Sequence, residues 1–328
     1  MAVHRGFRDR VPVREPEIDL LCSQLTSYYV FPDTATEIAA VLRTRLAEGA
    51  YADVDDERFA ALVTADLQKV NGDKHLRLLH SHDEVPETGE DSAWDPVAYR
   101  REAELDAFGV TRVERLAGNV GLLALRLLHD AAVATPAVTA AMTLLAHTDA
   151  LIIDLRANGG GDPHTVALIC SYLFDEPVHL NDIYNRPDDT TQQFWTLPHV
   201  PGPRFGGTKP VYVLTSARTF SGAEELSYNL RQNERATLVG ETTRGGAHPG
   251  DRYRVGPHLK SSIPNGRAIN PISGTNWEGV GVVPHVEVPA DEAFDVAYRR
   301  ALAHVLTLGS AGPRRPVFEA ATAALTPA

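Results

Sequence analysis

The chain is 328 residues long, enough to bury a large core as one large or two modest domains, and 43% hydrophobic with 23% charged residues is an ordinary globular composition. Its 31 basic and 43 acidic residues give a net charge of −12. With no basic stripe to neutralise phosphates, a nucleic-acid partner is excluded, and no apolar run approaches the roughly 18 residues of a membrane span.

The opening Met1–Arg10 carries positive charge but no apolar segment follows, so it does not read as a signal peptide, and a cytoplasmic location is expected. Residues 15–70 read as helices. Ile18, Leu21, Cys22 and Leu25 recur at helical spacing, as do Ile38, Val41, Leu42 and Leu46, then Phe59, Leu62, Val63 and Leu67. Pro32 and Gly49 punctuate them. Leu76 to Leu79 reads as a short strand, preceded by Asn71-Gly72-Asp73-Lys74-His75, in which Asp73 braces the turn holding His75. Residues 81–110 are charged and contain Pro and Gly, as a connector does.

From Val120 onward strand and helix signals alternate: strand Val120–Leu127, helix Val138–Leu145, strand Leu151–Leu155, helix His164–Leu173, strand Val211–Leu214, helix Ala223–Leu230, strand Thr237–Val239. This alternation predicts a mostly parallel α/β arrangement. Residues 180–208 read as a long polar loop with Tyr184, Phe194 and Trp195, suited to covering a substrate. The Pro/Ala-rich stretch after Gly312 is expected to fray. Cys22 and Cys170 lie far apart in apolar stretches and read as buried thiols. The 13 histidines form no H-E-x-x-H and no Cys/His cluster, so no metal or cofactor is expected.

Chemistry gathers at the ends of the strands. Thr219-Phe220-Ser221-Gly222-Ala223-Glu224 follows an apolar strand and opens a helix. A serine there exposes its hydroxyl where the N–H groups of the next residues converge, although serine is also an ordinary N-cap residue. Glu224 and Glu225 fall in the first helical turn, where negative charge suits the dipole, and read as structural. Asp154-Leu155-Arg156 ends a second strand and runs into Asn158-Gly159-Gly160-Gly161, whose amides could serve a developing oxyanion. Asp154 and Arg156 read as holding that strand end and loop in place. A third strand runs into Gly240-Glu241-Thr242-Thr243-Arg244-Gly245-Gly246-Ala247-His248. A nucleophilic serine needs a base and the base an orienting group; these segments offer His75 and Glu241, with His248 as the rival base.

The order D-x-H, D-L-R-x-N-G-G-G, T-F-S-G-A-E and G-E-T-x-x-G-G resembles the S41 family of serine peptidases, which includes the C-terminal processing proteases, the tricorn core protease and the modules of interphotoreceptor retinoid-binding protein. Tyr29-Val30-Phe31-Pro32, Phe59-Ala60 and Asp66-Leu67 resemble the N-terminal helical region of the retinoid-binding branch, and Asn276 to Pro284 its late strand. The resemblance spans roughly residues 15–305. It implies a β/α superhelix shared with crotonase-like and Clp-type proteins, with an N-terminal helical domain at 1–85, a connector at 86–112 too short for a PDZ domain, a catalytic domain at 113–312 and a flexible tail at 313–328.

The resemblance also implies a serine hydrolase that cleaves peptide bonds through an acyl-enzyme. Ser221 is its nucleophile, His75 its base, Glu241 the orienting carboxylate, and the N–H groups of Gly222, Gly159 and Gly160 the oxyanion donors. The sequence departs from the family in two places. Gly245 stands where a Ser–Lys dyad would have its lysine, and a guanidinium such as that of Arg244 cannot act as a base. Lys74 precedes the histidine where the tricorn branch has a serine. Two other readings stay open: an enzyme acting on a small acyl substrate, and a non-catalytic carrier of retinoid- or lipid-type ligands. Self-association also stays open.

Overall fold

The computed structural model describes residues 14–86 and 96–326. The expected tail residues 327–328, the opening decapeptide and residues 87–95 of the expected connector lie outside the described residues. Two units divide the chain. The first takes the described residues up to 86 together with Asn185–Asp189 and Pro249–Gly266; the second takes the rest.

The first unit begins with three helices, α1 (Glu15–Tyr28), α2 (Pro32–Ala47) and α3 (Asp56–Gln68). Pro16 and Pro32 sit in first turns, where a missing N–H costs nothing, and Asp55 caps α3 by accepting Arg58 N at 2.8 Å. The predicted helical spacing is the buried stripe: Ile18, Leu21, Cys22 and Leu25, then Ile38 and Leu42, then Phe59, Val63 and Leu67. Strand β1 (Arg77–His80) follows.

The second unit opens with α4 (Pro96–Leu105), β2 (Val110–Leu116), β3 (Val120–Leu125), α5 (Ala131–Leu145), β4 (Ala150–Asp154) and α6 (Pro163–Ser171). Strands β5 (His179–Asn185) and β6 (Thr190–Trp195), β7 (Val211–Thr215), α7 (Gly222–Gln232) and β8 (Thr237–Gly240) continue the chain. Next come β9 (Gly250–Gly256) and β10 (Leu259–Pro264), then β11 (Gly266–Ile269), β12 (Val286–Glu287), α8 (Ala293–Thr307) and α9 (Arg315–Leu325).

A six-stranded sheet in the order β12-β8-β7-β4-β3-β2 organises this unit. It is parallel throughout except for β2, which runs antiparallel to β3 at the edge. Successive side chains on each strand point to opposite faces, and both faces are covered, which is why the strands read as continuous apolar runs. Leu123, Leu125, Ile153, Val213 and Leu238 meet the residues of α5, α6 and α7. Val120, Leu122, Ile152, Leu214 and Val239 meet Ala297, Ala301, Leu302 and Val305 of α8 and Ala321 of α9.

Four expectations are corrected. The segment after Gly312 does not fray: it forms α9, whose Ala321 is fully buried on the second face while Arg314 bonds both carboxylate oxygens of Asp149. Residues 180–208 are not a loop throughout, since β5 and β6 occupy most of 179–195 and join β11 in a sheet of order β11-β5-β6. Asn276–Pro284 is not a strand, because Gly279 and Gly281 take φ of 72° and 73° and turn the chain; the strand that follows is the short β12. The expected connector 86–112 contains α4 and the first residues of β2. The first unit also gathers later sequence: β1 pairs with β10, and β10 with β9, as an antiparallel sheet, and Arg186 donates to the carbonyls of Tyr29 (2.6 Å) and Thr26 (3.0 Å).

Candidate active site

Three loops leave the carboxyl ends of the central parallel strands, the place where open α/β sheets put their ligands: 155–162 after β4, 216–221 after β7 and 241–249 after β8. Ser221 is the last residue before α7, with φ 53° and ψ −124°. A left-handed backbone is costly for a serine and persists only where its surroundings over-determine it. They do so here. A Cβ on Gly160 would stand 2.6 Å from the Ser221 Cβ and 2.9 Å from Gly222 N, and one on Gly222 would stand 2.6 Å from Gly161 O. Only glycines let the two loops meet backbone to backbone.

Glu224 holds Ser221 in place through its backbone. Fully buried, it accepts Ser221 N at 2.9 Å and Gly246 N at 2.9 Å on one oxygen, and Gly245 N at 2.6 Å and the Thr243 hydroxyl at 2.5 Å on the other. Burial pushes its carboxyl above the ordinary range while these four donors pull it back. Its sequence reading as a first-turn dipole residue misses this role, which only tertiary closure creates. Thr243 Oγ1 in turn accepts Val282 N at 2.7 Å.

The loop tied down in this way carries His248. That histidine is 5% exposed and its Nδ1 lies 3.5 Å from Glu278 Oε2. Glu278 Oε2 also accepts Ala247 N at 2.5 Å, and Trp277 donates to Gly246 O at 2.8 Å. Glu278 was not singled out from the sequence, although it stands in the Asn276–Pro284 stretch that resembles the family. His75 lies in the first unit, half-buried, with its backbone N–H on Asp73 Oδ1 at 3.0 Å. Asp73 takes the Tyr29 hydroxyl at 3.0 Å on its other oxygen, so it braces that turn as expected.

Two groups of expected site residues are occupied otherwise. The Glu241 carboxylate accepts Ala217 N at 3.0 Å and Ala290 N at 3.2 Å, and these bonds, the first above all, hold it below the usual carboxylate range. It ties two loops together and orients no histidine among the described residues. The amides of Gly159 and Gly160 are also spent, on Arg126 O at 3.2 Å and Asn158 Oδ1 at 2.8 Å. Asn158 is fully buried and draws the loop inward, and the amides here without an acceptor among the described residues are Gly222 N and Gly161 N. Asp154 and Arg156 behave as read: the guanidinium donates to both Asp154 oxygens at 2.9 and 2.7 Å and to Ala290 O at 2.7 Å.

Residues 119–288, more than half of the chain, match the model of peptidase family S41. The chain belongs to that family. Residues 17–107 match the N-terminal domain of S41 peptidases in eukaryotic IRBP. The fold is shared with a lipoprotein from Streptococcus agalactiae at a TM-score of 0.59 and 14% identity, covering 92% of this chain and 99% of that one. It is shared also with the photosystem II D1 C-terminal processing protease, at 0.52 and 14%, covering 86% and 94%. An uncharacterised protein of Chlamydia muridarum is 36% identical over 101 residues, or 30% of this chain; the chain spans 17% of that relative's length.

Proposed function

We propose that the chain is a serine peptidase with Ser221 as nucleophile. The observation that carries the reading is the left-handed serine at a strand-to-helix turn, wedged against a triple-glycine loop and clamped through Glu224. Ser221 Oγ attacks the scissile carbonyl carbon and passes its proton to a histidine. The oxyanion is met by Gly222 N, with Gly161 N beside it. The imidazolium then protonates the leaving amine, and water enters by the same route to release the acyl group.

Two histidines compete for the base. His75 is nominated by the family's D-x-H pattern. His248 is supported by its pairing with Glu278 on the loop that Glu224 ties to Ser221. A lysine base has no support, because Gly245 stands in its place. A carrier without chemistry has no use for a strained serine and its glycine cradle, and the family match favours the enzyme. The test is labelling by a fluorophosphonate followed by intact mass measurement. A single adduct on Ser221, absent from Ser221→Ala, is expected; an adduct elsewhere, or none, overturns the catalytic reading.

A further inference from the structure

The end of β1 and the turn between β9 and β10 bring three imidazoles together within the first unit. The His80 and His82 rings stand edge to face with centroids 5.3 Å apart, and the His258 ring lies 6.4 Å from that of His80. His82 is exposed and the other two are half-buried. His258 comes 177 residues after Ser81, so no spacing in the sequence announces the group.

The backbone that carries these rings is pinned. His80 pairs with Leu259 across the sheet. Ser81 N donates to His258 O at 2.8 Å and Val85 N to Pro257 O at 2.7 Å, which holds residues 81–85 against the turn. One ring is fixed as well, because His258 Nδ1 lies 3.1 Å from Ser81 O. A carbonyl only accepts, so this nitrogen carries the hydrogen, and in the neutral ring Nε2 keeps its lone pair. Metal-binding histidines are held in the same way, by a hydrogen bond from the second ring nitrogen to a carbonyl.

The spacing suits a tetrahedral ion. Zinc binds imidazole nitrogen at about 2.0–2.1 Å, which sets the centroids of its imidazoles about 5 Å apart. The His80–His82 pair already has that separation. The His80–His258 pair reaches it by closing about 1 Å, and the exposed His82 side chain completes the triangle by turning about its side-chain torsions. Asp83 and Glu84, both exposed, follow His82; a carboxylate from one of them or a water supplies the fourth ligand.

We infer that His80, His82 and His258 bind a zinc-type divalent cation that clips the end of β1 to the β9–β10 turn. Three imidazoles select zinc, copper or nickel over magnesium and calcium. The unfolded chain leaves these segments far apart, so binding favours the folded first unit. Ser221 has no part in this site.

The test is calorimetric titration of zinc chloride into the full chain, prepared without an affinity tag and stripped of metal by chelation. Thermal unfolding is followed on the same samples. A single ion per chain should bind with micromolar affinity or tighter and raise Tm. His82→Ala and His258→Ala should each weaken binding at least about tenfold, since even the partners behind a metal ligand are worth that much, and should remove the rise in Tm. His199→Ala, at an exposed histidine outside the group, should bind as wild type does. Far-ultraviolet dichroism of the metal-free variants checks their folding; His82 is exposed, so His82→Ala decides the matter if the His258 variant does not fold. No binding, or binding unchanged in His82→Ala, overturns the proposal. A response to magnesium chloride equal to that to zinc overturns it too, since carboxylates and not imidazoles would then hold the ion.

Discussion

Replacing Glu224 by Gln changes one atom type at the centre of the support around Ser221. The carboxylate receives two donors on each oxygen, and an amide keeps only one oxygen. Whichever way the amide turns, an NH2 faces two donors and leaves them without an acceptor. The site is 0% exposed, so water does not rescue them. At about 1–3 kcal/mol for each stranded buried donor, the expected loss is about 2–6 kcal/mol, a large part of a typical domain's stability. Urea denaturation followed by circular dichroism reads the stability, and the rate of fluorophosphonate labelling reads the serine. If Glu224→Gln fails to fold, Thr243→Val and Thr243→Ser answer the same question. Val removes the hydroxyl that bridges Glu224 to Val282 N, Ser keeps it, and only Val should slow labelling. Wild-type midpoint and wild-type labelling in Glu224→Gln would refute the clamp.

Glu225 is fully packed, and burial pushes its carboxyl up to about 8 from an ordinary 4.5. The folded protein then holds the proton more tightly than the unfolded chain, so this contribution is complete below the ordinary value and fades as pH rises through about 8; Glu225→Gln should flatten denaturation midpoints over that window, and an unchanged slope sinks the assignment. Gly160→Ala places a methyl against the Ser221 Cβ at a φ of 107°, and should abolish labelling, checked against far-ultraviolet dichroism of the folded variant. Alanine at the true base should cost roughly 10²–10⁴-fold in kcat/KM, so the less active of His75→Ala and His248→Ala on one peptide substrate identifies it. Glu241→Gln should stay within about tenfold of wild-type turnover, because its carboxylate holds backbone amides and no imidazole, whereas a triad partner would lose far more.

The parallel core was legible because a strand buried on both faces leaves an uninterrupted apolar run. Ala150–Asp154 and Val211–Thr215 announce themselves in this way. The edges were not. In β6 only Phe194 is buried, between four exposed polar residues and the exposed Trp195, so the strand shows no apolar–polar alternation. Helix α9 is short and Ala-rich and buries Ala321 alone, which composition cannot distinguish from a frayed end. The sheet of β1, β10 and β9 joins residues far apart in the chain, and no local pattern encodes such a pairing.

The same division runs through the site. Ser221 and its glycines were readable, because a left-handed serine and two backbones in contact can be built from very few residue types, and those types leave a mark in the sequence. Carboxylates leave no such mark. Glu224, Glu241 and Glu278 each follow or adjoin a recognisable motif, yet their roles differ by which amides tertiary structure brings to them. Glu224 receives Ser221, Gly245 and Gly246; Glu241 receives Ala217 and Ala290; Glu278 receives Ala247 beside His248. The G-E-T position suggests the orienting role for Glu241 by its place in a motif, and in the structure its carboxylate holds Ala217 N and Ala290 N. Glu278 Oε2 lies 3.5 Å from His248 Nδ1, and the sequence signal for it was the N-W-E-G run itself, read for its strand and not for its acid.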